Sequence, residues 1–532
     1  MPVITLDNLG ALGIIKDVKN WELEPEAFTD GQNVRFSDVG VEKTEGHAAV
    51  FDPPSIAPYW LLQAFFEGNF FWIYSSLTEV YVTDGSTHVD ITNSGGPYAA
   101  TADHGWNGGI LNGVPILNNG ADNPQQWDRD FSGPGLLTDL DNWPPASLST
   151  LTAAVVRPYK NFLLALDVTE DSVRFEDVFR WGHPADPGAV PSSWDETDAT
   201  KRAGRRALSE TSGPLVDGAR LGDIFVIYKE EGTFGVEFIA GRQVFRTWQM
   251  FPVLGMLSRR CVRPFRRGRF HLVLTPEADL VAHDGRQAES IIDKKWRRWL
   301  RANLSTSFSQ RSFMTASRDD SEVWTCFPSG DSEFADLALV WNWKYGTFSV
   351  RELPTVSHIE WGIVEVSLES EVIDDQEQLI DDDDSFIDER SFSAQNGHLL
   401  YASAASTKLF RGNDTEQFAG TNFTAYVERL GLGVIGRDRF GNWRTDFQRR
   451  KLLKQIWPKM ESSTPVRVYA ASQEEKNGPV TYQGPKLFNP ATDEKVDFEI
   501  AGRFIGYRFE SVDGSRWNLQ GVDLEIDLLG RY

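Results

Sequence analysis

One stretch limits the folds open to this chain more than any other. Residues 321–354 read SEVWTCFPSGDSEFADLALVWNWKYGTFSVRELP. Three apolar runs of strand length (323–327, 337–343 and 347–350) are separated by Pro328, Ser329, Gly330 and Asp331, and then by Lys344, Tyr345 and Gly346. Short strands broken by turn residues make an antiparallel meander. Val323, Thr325 and Phe327 point to one face and Trp324 and Cys326 to the other, so both faces are largely apolar. Such a sheet needs cover on both sides, which a lone meander cannot give itself. Stacking further copies of the unit supplies that cover, which is the logic of a propeller blade.

The same phrase recurs along the chain: an apolar strand, a polar turn, a second apolar strand, then Asp-Gly or Gly-Asn. It is found over 69–92, in GGILNGVPILNNG from Gly108, in NFLLALDV from Asn161 and in DIFVIYKEEGTFGVEFIAG from Asp223. RFHLVLTPEADLVAHDG from Arg269 and GHLLYASAASTKLFRG from Gly397 repeat it. With 34 Phe, 18 Trp, 13 Tyr, 45 Gly and 26 Pro against 5 Met, the composition is that of a turn-rich β protein. The expectation is an all-β chain with a β-propeller of six or seven blades over residues 61–415; a stack of β-sandwiches is the alternative.

From Thr421 the texture changes. FTAYVERLGLG, KLLKQIWPKM, VRVYAASQ, RFIGYRFES and WNLQGVDLEIDLLGRY are longer strands without the Asp-Gly refrain, and residues 416–532 are assigned to a β-sandwich-like domain. Residues 1–60 hold a hairpin with arms at 33–36 and 41–43, and this segment can join the sandwich. One segment, 293–304 (DKKWRRWLRANL), predicts an amphipathic basic helix with Trp296, Trp299 and Leu300 on its packed face.

Charge narrows the function. Lys plus Arg number 53 and Asp plus Glu 77, a net charge of -24. That balance argues against nucleic acid as a tightly held ligand, but not against DNA that must slide past without sticking. The densest acidic run, VIDDQEQLIDDDDSFIDER at 372–390, repeats every seven residues. Its Asp374, Asp375, Asp381, Asp382, Asp383, Asp384 and Asp388 are candidates for an acidic channel or interface loop. A calcium loop is the alternative, although the fixed Gly and terminal Glu of an EF-hand are missing. The basic counterpart begins with Arg259, Arg260, Arg263, Arg266, Arg267 and Arg269 and continues with Lys294, Lys295, Arg297 and Arg298. These read as an interface for acidic surfaces of neighbouring copies, with DNA contact as the sharper alternative.

For catalysis there is little material. No G-x-S-x-G, H-E-x-x-H, P-loop or G-x-G-x-x-G motif occurs. His183 in GHPADPG and His283 in AHDG read as turn residues, and Cys261 and Cys326 as buried thiols with no metal or disulfide spacing. The first residues carry no basic region ahead of an apolar one, and no apolar run approaches the roughly 18 residues of a membrane span. The reading is a soluble, non-catalytic protein without a cofactor.

An ordered set of motifs extends that reading. GIIKDV and NVRF lie near the start, and FRWGHPADPGAVPSSWDETD follows from Phe179. Then come GDIFVIYKE at Gly222, HDG at His283, VWTCFP at Val323, LVWNWKYGTFSVRELP at Leu339 and GVDLEIDLLGR at the end. In these the chain resembles the tail nozzle proteins of short-tailed double-stranded-DNA bacteriophages, also called packaged-DNA stabilisation or tail tubular proteins. It departs from them in the heptad run, where similar proteins carry Trp-Asp pairs and this one has Ile-Asp.

The resemblance implies a virion tail component, assembled in the host cytoplasm as a homohexameric ring below the tail adaptor, that retains the packaged genome and lets it out. Its partners would be its own copies, the adaptor, a tail fibre or spike, a plug protein and DNA in transit, with no membrane insertion. Six chains at -24 would carry -144, and an acidic wall repels phosphate. The alternative is a receptor- or glycan-binding propeller of a tail fibre or spike. A glycosidase or sialidase propeller would need arginines and carboxylates clustered around a central pocket.

Overall fold

The computed structural model describes residues 3–53, 56–66, 68–131, 135–239, 241, 243–318, 320–364 and 397–530. Seven four-stranded antiparallel sheets dominate it, over 60–90, 107–139, 151–207, 215–251, 262–290, 313–356 and 358–412. The first strand of each sheet lies against the first strand of the next. The circuit runs through Trp60–Phe66, Asn107–Leu111, Leu151–Tyr159, Leu215–Leu221, Val262–Phe265, Phe313–Ser317 and His358–Ile363, and returns to Trp60–Phe66. The sheets are therefore blades 1 to 7 of a closed β-propeller, with those seven strands innermost.

Blade 6 shows why the sequence builds this shape. In Glu322–Phe327 every residue is buried. Trp324 and Cys326 pack toward blade 7, while Val323 and Phe327 pack with blade 5. Each large apolar side chain so enclosed contributes roughly 2 kcal/mol, which a single sheet in water could not collect on both faces. The Asp-Gly refrain is a turn device. Asp84 Oδ1 accepts the amides of Ser86 and Thr87, and Asp284 Oδ1 those of Arg286 and Gln287. The following Gly85 and Gly285 take φ of 105° and 90°, which a side chain would disfavour.

The ring is closed with strands from both directions of the chain. Blade 7 takes its outermost strand, His47–Val50, from the N-terminal region, paired with Lys408–Gly412. On the inner side, Leu61 N–H donates to His358 Nδ1, and Trp72 Nε1–H and the Gln63 amide both donate to Ile363 O, fastening blade 1 to blade 7.

The remaining strands form a β-sandwich. One sheet runs Val34–Ser37, Gly40–Lys43, Trp517–Leu528, Lys451–Ser462, Val496–Gly502, with Val3–Asp7 also paired to Trp517–Leu528. The other runs Asp30–Gln32, Tyr426–Leu432, Phe504–Ser511, Val466–Gln473, Thr481–Phe488. Phe504, Tyr507 and Phe509 thus belong to one sheet and Trp517, Leu519, Val522 and Leu524 to the other, all of them buried. The N-terminal segment contributes to both sheets.

Propeller and sandwich share a core, since one apolar cluster runs from blades 4, 5 and 6 into both sheets. Polar contacts reinforce the joint. Arg35 Nε donates to buried Glu322 at 2.8 Å and the same guanidinium lies 3.0 Å from Asp320, while the Asn33 amide donates to Glu352 and to Thr424 O. Helix α1 (Arg297–Asn303) fills the seam, with Trp296 and Leu300 buried as the 3.6-residue pattern requires. Asp17, about 280 residues away in sequence, accepts the amides of Arg298 and Trp299 at the start of α1, and Trp296 Nε1–H donates to Ile14 O. GIIKDV is thus the strap over this helix.

Candidate functional site

Chemistry-bearing side chains gather where the innermost strands converge. Arg157 of blade 3 forks onto Asp217 of blade 4 at 2.8 and 2.7 Å and also donates to Gly108 O of blade 2. Arg263 of blade 5 reaches past blade 6 to pair with Glu360 of blade 7. Ion pairs therefore link neighbouring innermost strands and, through Arg263 and Glu360, blades on either side of blade 6. His358 stands among these arginines, and burial, followed by the charges of Arg260 and Arg263, holds its imidazole well below the usual range and neutral.

At the end of the axis where the innermost strands begin, here the upper face, the balance changes. Arg260 N–H donates to Asp217 at 2.9 Å, but its side-chain Nε and Nη1 are shut away from solvent without a partner among the described residues. The guanidinium lies 5.9 Å from the Phe313 ring centroid. Burial and the neighbouring Arg157 push its pKa down to about 10. Among the described residues the Arg259 side chain has one hydrogen bond, to His104 O at 3.3 Å, and burial lowers its pKa too. Beside Arg259 opens a cavity of about 270 Å³, walled by the link between blades 1 and 2, the turn at Asn119 and the upper ends of blade 3 strands. On its wall Arg174 forks onto Asp167 at 2.8 and 2.7 Å.

The other basic residues singled out in the sequence lie elsewhere. Arg266 and Arg267 turn the first hairpin of blade 5 at the lower end, where Arg266 stacks near Trp343 and donates to its carbonyl. Lys294 and Lys295 precede α1 and Arg297 and Arg298 open it, all exposed, and Arg297 lies 3.5 Å from Asp279. The structure thus divides the basic residues between the axial mouth, the lower hairpin and the seam helix. Asp374, Asp375, Asp381, Asp382, Asp383, Asp384 and Asp388 lie outside the described residues.

A relay of buried rings, not read from the sequence, joins blades 4 and 5. Gly285 N–H donates to His283 Nδ1 at 3.2 Å, which leaves His283 Nε2–H to donate to Tyr228 Oη at 2.6 Å. Tyr228 then donates to His271 Nδ1 at 2.7 Å, and His271 Nε2–H to Arg220 O at 2.9 Å. Every link needs neutral imidazoles. Burial holds His271 down to about 4, and burial together with His271 holds His283 down to about 3. The signal available beforehand was only a His in each of two neighbouring strands. His183 does serve a turn, accepting Arg202 N–H at 2.9 Å.

Both cysteines are free and buried. Among the described residues no group of three or more His, Cys, Asp or Glu is placed to hold a metal ion, and no helix is long and apolar enough to cross a membrane.

No family model matches the chain, and no curated protein sequence matches it significantly. Among solved structures it is similar to the β-propeller domain of Cps50 (Swd1) from Myceliophteria thermophila, at 10% identity and a TM-score of 0.39, covering 68% of this chain and 98% of that one. It is also similar to PorZ, a surface component of the type-IX secretion system of Porphyromonas gingivalis, at 9% identity and a TM-score of 0.35. That match covers 86% of this chain and spans 46% of PorZ. At these scores the propeller assignment stands on the strand topology itself.

Proposed function

We propose that this chain is a structural component of a phage tail: a nozzle subunit that extends the DNA channel below the adaptor, retains the packaged genome and allows its ejection. The observation that carries this reading is where the motifs of the resemblance fall. They hold the frame together. GIIKDV straps α1, and NVRF and VRELP meet at the propeller–sandwich joint through Asn33 and Glu352. The segment from Phe179 staples blades 2 and 3: Trp194 packs edge-on against Trp143, the Asn112 amide donates to Ala185 O, and Arg180 is buried against Glu170. The HDG turn completes the histidine relay, and the final GVDLEIDLLGR supplies the central strand of one sandwich sheet.

Residues spent on joints suit a part whose task is to keep its shape under load. Because the Arg263–Glu360 pair passes blade 6 and large charged side chains crowd the axial space of a single propeller, the conduit in this reading runs between copies. A net charge of -24 per copy keeps a polyanion from adhering to its wall. Native mass spectrometry of the chain, alone and mixed with its adaptor, tests the reading. A sixfold ring is expected. A trimer that captures defined glycans would replace this reading with a receptor-binding one.

A further inference from the structure

Of the charged side chains around the axis, those at the upper mouth are left unbalanced. Arg157 is saturated by Asp217 and Gly108 O, and Arg174 by Asp167. Among the described residues Arg259 has only a backbone carbonyl, and Arg260 has no acceptor for its enclosed Nε and Nη1. Four guanidinium groups thus share two carboxylates within one small region of a strongly acidic protein. An unpaired cation withdrawn from water is costly, and a bound anion removes that cost.

The adjoining cavity has the size and lining for such an anion. Its volume of about 270 Å³ exceeds what a single oxyanion needs, and Thr101, Thr152 and Thr169 place hydroxyls beside the Arg259 guanidinium, while the Asp167 carboxylate on the same wall is neutralised by Arg174. No Trp, Tyr or Phe lines it, so a sugar ring would find no stacking platform. The donors of Arg259 that His104 O leaves unused, supplemented by the threonine hydroxyls, match the acceptors of a phosphate group. We propose that the upper axial mouth, between blades 2 and 3 and the Arg259–Arg260 link, is a binding site for a phosphate-type oxyanion. The assignment does not depend on the nozzle reading.

Isothermal titration calorimetry on the full chain, with inorganic phosphate added at constant ionic strength, is the test. Saturable binding is expected. The Arg259→Gln variant should weaken it about tenfold or more, with the phosphate-free melting temperature unchanged, and Arg259→Lys should fall between the two. Arg260→Gln should weaken binding as well; if it fails to fold, the two Arg259 variants carry the comparison. Competition by a short single-stranded oligonucleotide would assign the phosphate to a nucleic-acid backbone, and lack of competition to a free phosphate or monoester. Absence of saturable heat, or equal binding by wild type and Arg259→Gln, overturns the proposal.

Discussion

Buried positive charge is handled differently in the two halves of the molecule. In the sandwich it is met by backbone oxygen. The Arg429 guanidinium donates to the carbonyls of Asn20, Leu23, Glu24, Pro25 and Leu430. Lys451 donates to the carbonyls of Asp446, Arg449 and Arg503, and Lys43 to those of Glu416 and Gly514. Each cation thereby pins a loop that would otherwise leave buried C=O groups unpaired. In the propeller the handling is mixed: Lys229 also donates to carbonyls, those of Leu208 and Thr211, and Arg157 and Arg180 pair with Asp217 and Glu170, while the histidine relay is kept neutral and the arginines of the axial mouth meet few acceptors among the described residues. The difference separates cations that serve the fold from cations whose pairing the fold leaves open.

Acid should expose this difference most strongly. His47, His271 and His283 are held near 4, 4 and 3 by burial, aided for His47 by Arg351 and for His283 by His271, against about 6.5 in the unfolded chain. Their folded values lie below their unfolded ones, so on acidification the unfolded state takes up protons first. Stability is full above about 6.5 and is lost as the pH falls toward 4. At pH 5 the loss is roughly 2 kcal/mol for each histidine. All three lie in the propeller, whereas the caged lysines and arginines of the sandwich remain charged throughout. Urea denaturation at pH 7 and pH 5 measures the loss. Limited proteolysis at pH 5 should cut the propeller first, and first cuts in the sandwich would break the comparison.

The next largest effect is expected at Arg429. Arg429→Met keeps the bulk but strands the carbonyls of the 20–25 loop, and should cost about 3 to 5 kcal/mol in urea denaturation. A loss under about 1 kcal/mol would show that water replaces the guanidinium and that the cage is not a staple. Tyr228→Phe breaks the relay at its centre while preserving the ring. It should cost about 1 to 3 kcal/mol and leave the acid dependence in place, since burial, which the ring preserves, is what chiefly holds both imidazoles down. A flattened pH profile would tie the acid response to the relay instead of to burial.

The smallest effect should have the opposite sign. Arg260→Met removes a guanidinium whose Nε and Nη1 have no acceptor among the described residues, so none of these is orphaned. Stability in phosphate-free buffer should be unchanged or rise by about 1 kcal/mol. A loss as large as that of Arg429→Met would mean that the mouth, too, is built for stability.

Much of the architecture was legible along the chain. Strands greasy on both faces demanded stacking, and the Asp-Gly refrain marked turns because Asp84 and Asp284 bind amides two and three residues ahead. Trp296 and Leu300 announced α1 by their spacing. Such signals are local, so a window of a few residues contains the whole cause. The basic run at 259–269 was legible only as charge, since in sequence Arg260 looks no different from Arg267.

Tertiary structure alone decided the rest. It took His47–Val50 from a segment near the N-terminal hairpin to close blade 7, set Asp17 over a helix about 280 residues away, and brought the carbonyls of the 20–25 loop around Arg429. It also turned Arg260 inward at the axis while leaving Arg267 on a surface hairpin. Residue type and periodicity determine whether a segment pairs and which face it buries. Which distant segment it meets, and whether a cation there finds an acceptor, depends on how the closed ring and the sandwich fill space together.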